Sequence, residues 1–182
     1  MEKVNFEEDV AFAISEEVRK KNYQIVLKNF PVKSFNAIEQ EQGKDKNDFD
    51  CELKDGTKIK IEFKNRRKKA IAYDMALEVH NNFSNKSFGC IFNLIENDVN
   101  YLIYTWHGKK KECYIILKAK ELEKWWRENY TKYKLRLNKK SYKDDNVWQS
   151  SYCFVPIKDF PKEIIFKHET FIDLDDFWGG KN

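Results

Sequence analysis

The sequence predicts an α/β chain of the α+β kind, with a mixed central β-sheet flanked by helices. Two patterns point there: runs with strand alternation outnumber runs with helical spacing, and the helical runs stand apart, one at the start and one late. Size adds a bound, because 182 residues that are 41% hydrophobic and 15% aromatic supply one real core and are too few for two ordinary domains. One domain over 1–182 is therefore expected, in three stretches: a helix and hairpin over 5–80, strands and a basic helical region over 88–146, and a strand with an acidic tail over 147–182.

Phe6, Val10, Ala13, Ile14 and Val18 share one face at helical spacing behind Asn5 as an N-cap, so 5–21 reads as an amphipathic helix. YQIVLKNF at 23–30 reads as a first strand, and the polar segment from Pro31 to Asn47 as a loop or frayed helix. DFDCELKDGTKIKIEFKNRR at 48–67 reads as a hairpin, with Phe49, Cys51 and Leu53 on one arm and Ile59, Ile61 and Phe63 on the other forming its apolar side. Keeping both sets on one side requires partners whose numbers sum to an even value, which a two-residue Asp55-Gly56 loop does not give. A three-residue turn over 55–57, or a bulge, does. It would set Lys54 opposite Lys58, Glu52 opposite Lys60, Asp50 opposite Glu62 and Asp48 opposite Lys64.

AYDMALEV at 72–79 alternates as a strand, although Ile71, Met75 and Val79 also fit a helix face. FGCIFNLI at 88–95 and VNYLIYTW at 99–106 read as strands joined by a turn at Glu96, Asn97 and Asp98. ECYIILK at 112–118 is a further strand that feeds a helix from about Ala119 to Tyr130. A basic polar stretch then runs to Asn146, followed by the strand WQSSYCFVPI and a tail that reads as a final packed strand or turn.

Several function classes find no footing. No apolar run approaches membrane-span length, and MEKVNFEEDV lacks the basic-then-apolar pattern of a signal peptide, so a cytoplasmic protein without a membrane partner is expected. Cys51, Cys90, Cys113 and Cys153 are far apart inside apolar runs, which suits buried free thiols rather than a zinc site or disulfides. His80, His107 and His168 are scattered, and there is neither a phosphate-binding glycine loop nor a Gly-x-Ser-x-Gly elbow.

The hairpin is where chemistry concentrates. Carboxylates placed directly opposite one another, as Asp50 and Glu62 would be, cost a few tenths to about 1 kcal/mol unless something offsets them. A divalent cation does so: Mg²⁺ prefers carboxylate oxygens and keeps waters for substrate and nucleophile. Lys64, one step along the same side, is placed to orient an attacking water and to stabilise charge on a phosphate.

An acid at the start of a hairpin followed by Glu-x-Lys on the next strand, here Asp50 with Glu62-Phe63-Lys64, resembles the PD-(D/E)xK nuclease superfamily. The resemblance covers roughly residues 5–106 and departs from the pattern in lacking a proline before the acid; both Asp48 and Asp50 are candidates for that acid. It implies a restriction-endonuclease-like fold and a Mg²⁺-dependent nuclease, with Mn²⁺ as a substitute, most simply a DNA endonuclease. Asp50 and Glu62 would be the metal ligands and Lys64 the water-orienting group. A helix carboxylate often joins such sites. Phe6-Glu7 before Val10 and Ile14 favours Glu7 for that role, with Glu17 as the other candidate and the helix dipole as the bland explanation of Glu7. Asp74 and Glu78 would either support such a site from behind its ligands or be merely the wet side of their strand, the plainer reading.

The net charge of +4 is unevenly spread. Arg66, Arg67, Lys68 and Lys69 leave the hairpin, and Lys139, Lys140 and Lys143 belong to a second basic block interleaved with Trp125, Trp126, Tyr130, Tyr133, Arg136 and Tyr142. Dense positive charge suits phosphates, and aromatic faces suit unpaired bases, while a solvated surface and ordinary core packing explain the same residues more plainly. At least one of the two tryptophans is expected in the core. The expected partner is nucleic acid, with a homodimer implied for two-strand cutting; a non-cleaving nucleic-acid binder and an interaction or inhibitor module are the competing classes.

Overall fold

The computed structural model describes residues 15–37, 49–67, 74–107, 112–138, 141–143 and 146–169. It is an α+β structure with a mixed central sheet. The first element among the described residues is a helix, here α1, over Glu16–Asn29. The Ser15 hydroxyl caps it, accepting the Val18 N–H at 3.4 Å; Glu16 and Glu17 occupy its positive end, and Glu16–Lys20 and Glu17–Lys21 pair one turn apart. Val18, Asn22, Ile25 and Val26 form its buried side, while Tyr23 and Leu27 face solvent.

That pattern has a period of 3.6, so the strand expected at 23–30 is helix instead. Ile25 and Val26 are buried as neighbours, which no half-buried strand allows. Glu17, a candidate for the middle of the apolar side, lies exposed beside Lys21. The expected loop after Pro31 holds a strand, β1, over Val32–Ala37.

The hairpin follows as β2 (Phe49–Leu53) and β3 (Lys58–Arg67). Its loop is Lys54-Asp55-Gly56: Leu53 N–H donates to the Thr57 carbonyl at 2.8 Å, and Asp55 Oδ1 accepts the Thr57 N–H at 2.9 Å. Gly56 has φ +85°, a conformation glycine adopts without the Cβ clash that penalises other residues. The even-sum rule and the three-residue length therefore hold, but the loop sits one residue earlier than expected. The register moves by two, giving Phe49 opposite Ile61, Asp50 opposite Lys60, Cys51 opposite Ile59 and Glu52 opposite Lys58.

The later elements are β4 (Asp74–Asn82), β5 (Ser87–Phe88), β6 (Tyr101–His107), β7 (Glu112–Lys118), the helix α2 (Ala119–Asn129), β8 (Leu135–Leu137), β9 (Ser141–Lys143), β10 (Asn146–Trp148), β11 (Ser151–Pro156) and β12 (Ile165–Glu169). The strand expected over 88–95 is mostly a single 3₁₀ turn at Cys90–Asn93, because Ile91, Phe92 and Leu94 are buried in a spacing that does not alternate. The central sheet has the order β1-β2-β3-β6-β7-β12, parallel between β3 and β6 and antiparallel elsewhere. A second, antiparallel sheet has the order β5-β4-β11-β8, and β9 pairs with β10.

Two apolar layers result. On one side of the central sheet, Ile25, Val26 and Phe30 of α1 pack on Phe49, Cys51, Ile59, Ile61 and Phe63. On the other, Leu102, Tyr104, Trp106, Ile115 and Leu117 meet Met75, Leu77 and Val79 of β4, Cys153 and Val155 of β11, and Leu122 and Trp126 of α2. The alternation expected for β4 holds through Met75, Leu77 and Val79. All four cysteines are free thiols, three of them buried and Cys90 partly so. Among the described residues no helix is long and apolar enough to cross a membrane.

Candidate functional site

Strand alternation on β3 turns Ile59, Ile61 and Phe63 toward α1, and so turns Glu62, Lys64 and Arg66 to the opposite side of the sheet. Glu62 and Lys64, two residues apart on that side, form an ion pair at 2.7 Å; the glutamate side chain is 14% exposed and the lysine 37%. Lys64 lines a recess of about 170 Å³ with Ala76, Leu77 and Glu78 of β4 and Cys90 and Ile91 of the 3₁₀ turn. Glu78 is fixed there by accepting the Cys90 N–H at 3.3 Å.

The Cys90 thiol reports on the charges around it. Burial pushes it up to about 11; the Lys64 ammonium pulls it down, and the carboxylates of Glu62 and Glu78 push it further up. One lysine and two carboxylates thus converge on a thiol that stays protonated at neutral pH. Cys90 is therefore a packing residue of this recess rather than a nucleophile.

Glu78 depends on Gly89. A Cβ at position 89 would lie 2.6 Å from Glu78 Cγ and 2.8 Å from its Oε2. Gly89→Ala is expected to displace the Glu78 side chain and to cost about 1–3 kcal/mol, the usual penalty of overpacking. Urea denaturation measures this, and the same substitution in a Glu78→Ala background should cost less, because the clashing Cγ and carboxylate are gone while the Cβ, 2.9 Å away, remains. Equal costs in both backgrounds would show that Glu78 is not what Gly89 makes room for.

Of the acids expected to face each other, Asp50 is exposed and stands opposite Lys60, not Glu62. The physical reason is the earlier loop, and the consequence is that the assumed carboxylate repulsion gives way to opposite-charge pairs, Asp50 with Lys60 and Glu52 with Lys58. Glu52 also binds Lys33 at 2.6 Å, and that lysine's hydrogen bond holds its carboxyl below the usual range. Asp50 remains a diagonal neighbour of Glu62 on the same side of the hairpin, at the ~7–8 Å spacing of such pairs. Among the described residues no three His, Cys, Asp or Glu side chains are grouped to hold a metal ion.

Glu7, Asp48, Lys68, Lys69, Lys139 and Lys140 lie outside the described residues. Arg67 ends β3 and Lys143 ends β9. Trp126, a candidate for base stacking, is fully buried; Trp125 packs on Phe160 with ring centroids 5.0 Å apart. Both tryptophans are thus accounted for by the core and its margin.

Of three contributors, sequence reasoning offers Glu78 as a supporting group only beside its plainer wet-side reading, and singles out neither Phe154 nor Arg136 for the site. Glu78 was assigned to the wet side of its strand, which is correct for the second sheet, but that side borders Lys64. Phe154 was read only as part of a strand, and Arg136 only as one member of a basic block; both guanidiniums, those of Arg66 and Arg136, pack against the Phe154 ring, at 5.1 and 4.9 Å from its centroid. Only the alternation in SYCFVP, which puts Phe154 opposite in sense to Cys153 and Val155, carried a trace of this.

The chain matches no family model, no curated protein and no solved structure at a significant level.

Proposed function

We propose that this chain is a Mg²⁺-dependent nuclease with a restriction-endonuclease-like fold, hydrolysing phosphodiester bonds, most simply in DNA. The observation that carries the reading is the Glu62–Lys64 pair on the polar side of a hairpin strand, opening into a recess that Glu78 shares. Carboxylate oxygens are the donors that Mg²⁺ prefers, and the ion when bound lowers the pKa of water and neutralises phosphate charge. Glu62 is the ligand on β3. Asp50, the diagonal neighbour of Glu62 on β2, and Asp48, outside the described residues, are the two candidates for the other ligand.

Lys64 holds the attacking water or the phosphate oxygen, and Glu62 fixes the ammonium where it is needed. Glu78 is the described carboxylate best placed to serve as the accessory acid, the role that Glu7 would otherwise fill. A second reading, nucleic-acid binding without cleavage, is favoured by the two guanidiniums of Arg66 and Arg136 gathered on the Phe154 ring, which binding alone would use.

The deciding experiment incubates the protein with supercoiled plasmid and with single-stranded DNA in Mg²⁺, Mn²⁺ and EDTA, beside Asp48→Asn and Asp50→Asn. Metal-dependent cleavage is expected, lost in one of the two variants and kept in the other, which names the first acid. Cleavage kept in both would remove both aspartates from the site, and no cleavage in any metal with salt-sensitive binding intact would establish the non-cleaving binder.

A further inference from the structure

The side of the second sheet that faces away from the core is built unlike an ordinary solvated surface. It presents Glu78 opposite Tyr152 and Ala76 opposite Phe154, with Arg136 of β8 on the far side of Tyr152. Tyr152 stands edge-on to Phe154 at 5.3 Å, and at the other border Phe88, 48% exposed, stacks on His80 at 5.9 Å and 14°. Arg66 crosses from the central sheet to share the Phe154 ring with Arg136, so one aromatic ring draws two guanidiniums together from different sheets.

Two like charges gathered on one ring repel, and that needs a counter-charge. Asp74 is the carboxylate acting on both arginines; burial raises its pKa while the two guanidiniums pull it down. Among the described residues Asp74 is the carboxylate beside the two guanidiniums and Glu78 the next along the same side, and an incoming phosphodiester would meet the guanidiniums drawn onto the Phe154 ring. Flat rings, half-buried at Tyr152 and Phe154 beside those cations and exposed at Phe88, suit bases that are not already stacked in a duplex. Ala76 and Glu78 belong both to this side of the sheet and to the Lys64 recess, so the two surfaces are continuous.

We infer that this sheet surface binds an unpaired polynucleotide strand, with phosphodiesters at Arg66 and Arg136 and bases against Tyr152 and Phe88, and leads it to the Glu62–Lys64 recess. The destination rests on the nuclease reading; the binding surface does not.

The test measures fluorescence anisotropy of labelled single-stranded DNA, single-stranded RNA and duplex DNA with the full chain in EDTA, over a series of salt concentrations. Either single strand should bind at least about tenfold more tightly than duplex. Arg136→Ala, on an exposed edge strand, should weaken binding roughly tenfold and flatten the salt dependence by about 0.7 in logarithmic slope, the value for one phosphate on a single strand. Arg136→Lys should restore that slope. Tyr152→Ala should weaken binding by about tenfold with the slope unchanged, and circular dichroism melts confirm that each variant folds. Preference for duplex, competition by polyglutamate equal to that by oligonucleotide, or parental affinity in both Arg136→Ala and Tyr152→Ala would overturn the proposal. Single-strand preference without cleavage in any metal would remove the nuclease reading and leave this surface standing; cleavage with duplex preference would do the opposite.

Discussion

Trp126→Ala is expected to lower the stability of the fold by about 3–5 kcal/mol, a large share of the roughly 5–15 kcal/mol that holds a typical domain together. Trp126 is fully buried on α2, stacked near Tyr133 at 6.1 Å and 29°, with Tyr130 at 6.0 Å and Phe92 at 6.3 Å. Truncation opens a cavity between α2 and the 3₁₀ turn that carries Cys90. The rest of that contact is polar: Glu123, buried, accepts the Ile95 N–H at 2.7 Å and pairs with Arg127, which in turn donates to the Phe92 carbonyl. Loss of Trp126 should therefore loosen one wall of the recess as well as the core. Its indole N–H is buried with no hydrogen-bond partner among the described residues, so Trp126→Phe removes an unsatisfied donor along with some volume and should cost much less than the alanine variant. Urea unfolding followed by circular dichroism measures both. A cost below about 1 kcal/mol for Trp126→Ala would show that the core does not rest on α2.

How far the sequence carried depended on whether one period dominated a segment. ECYIILK and the run after Ala119 were legible to the residue, because each is buried in a single pattern and the change from period 2 to 3.6 falls at a sharp boundary. In α1 the β-branched pair Ile25-Val26 mimicked a strand, and only its burial together with Val18 and Asn22 reveals the helix. The 88–95 run failed for a related reason: it is apolar because it is buried, but its backbone makes one tight turn to bring Cys90 and Ile91 to the recess. In the hairpin, parity followed from side-chain alternation, whereas the loop position depended on where the backbone could place Gly56 at positive φ. That single-residue difference decides that Asp50 stands opposite Lys60 rather than Glu62. Glu62 and Lys64 were legible because a strand fixes i and i+2 on one side. Glu78, Arg136 and Phe154 were not, because they reach Lys64 and Arg66 only through a second sheet in which β4 and β11 pair across 71 to 82 positions of sequence.

Lys64 and Glu62 separate chemistry from binding, and their substitution is expected to have the largest effect on function. Under the nuclease reading, Lys64→Ala removes the cation that meets charge developing on the phosphate, and should lower kcat by about 10²–10³ while the affinity for nucleic acid in EDTA falls only modestly. Lys64→Arg should not restore activity, since a planar fork does not reproduce a compact ammonium held at 2.7 Å by Glu62. Glu62→Gln should lose metal-dependent cleavage yet bind nucleic acid at least as well as the parent in EDTA, because a negative charge has been removed beside the path of the phosphates. Neither change touches the apolar side of β3, where Ile59, Ile61 and Phe63 pack on α1, so melting temperatures should stay near that of the parent. Single-turnover cleavage with a melting curve for each variant makes the measurement. A drop in activity matched by a drop in stability would assign the pair to the fold. Full activity in Glu62→Gln would remove Glu62 as a ligand and move the metal site away from the Glu62–Lys64 pair.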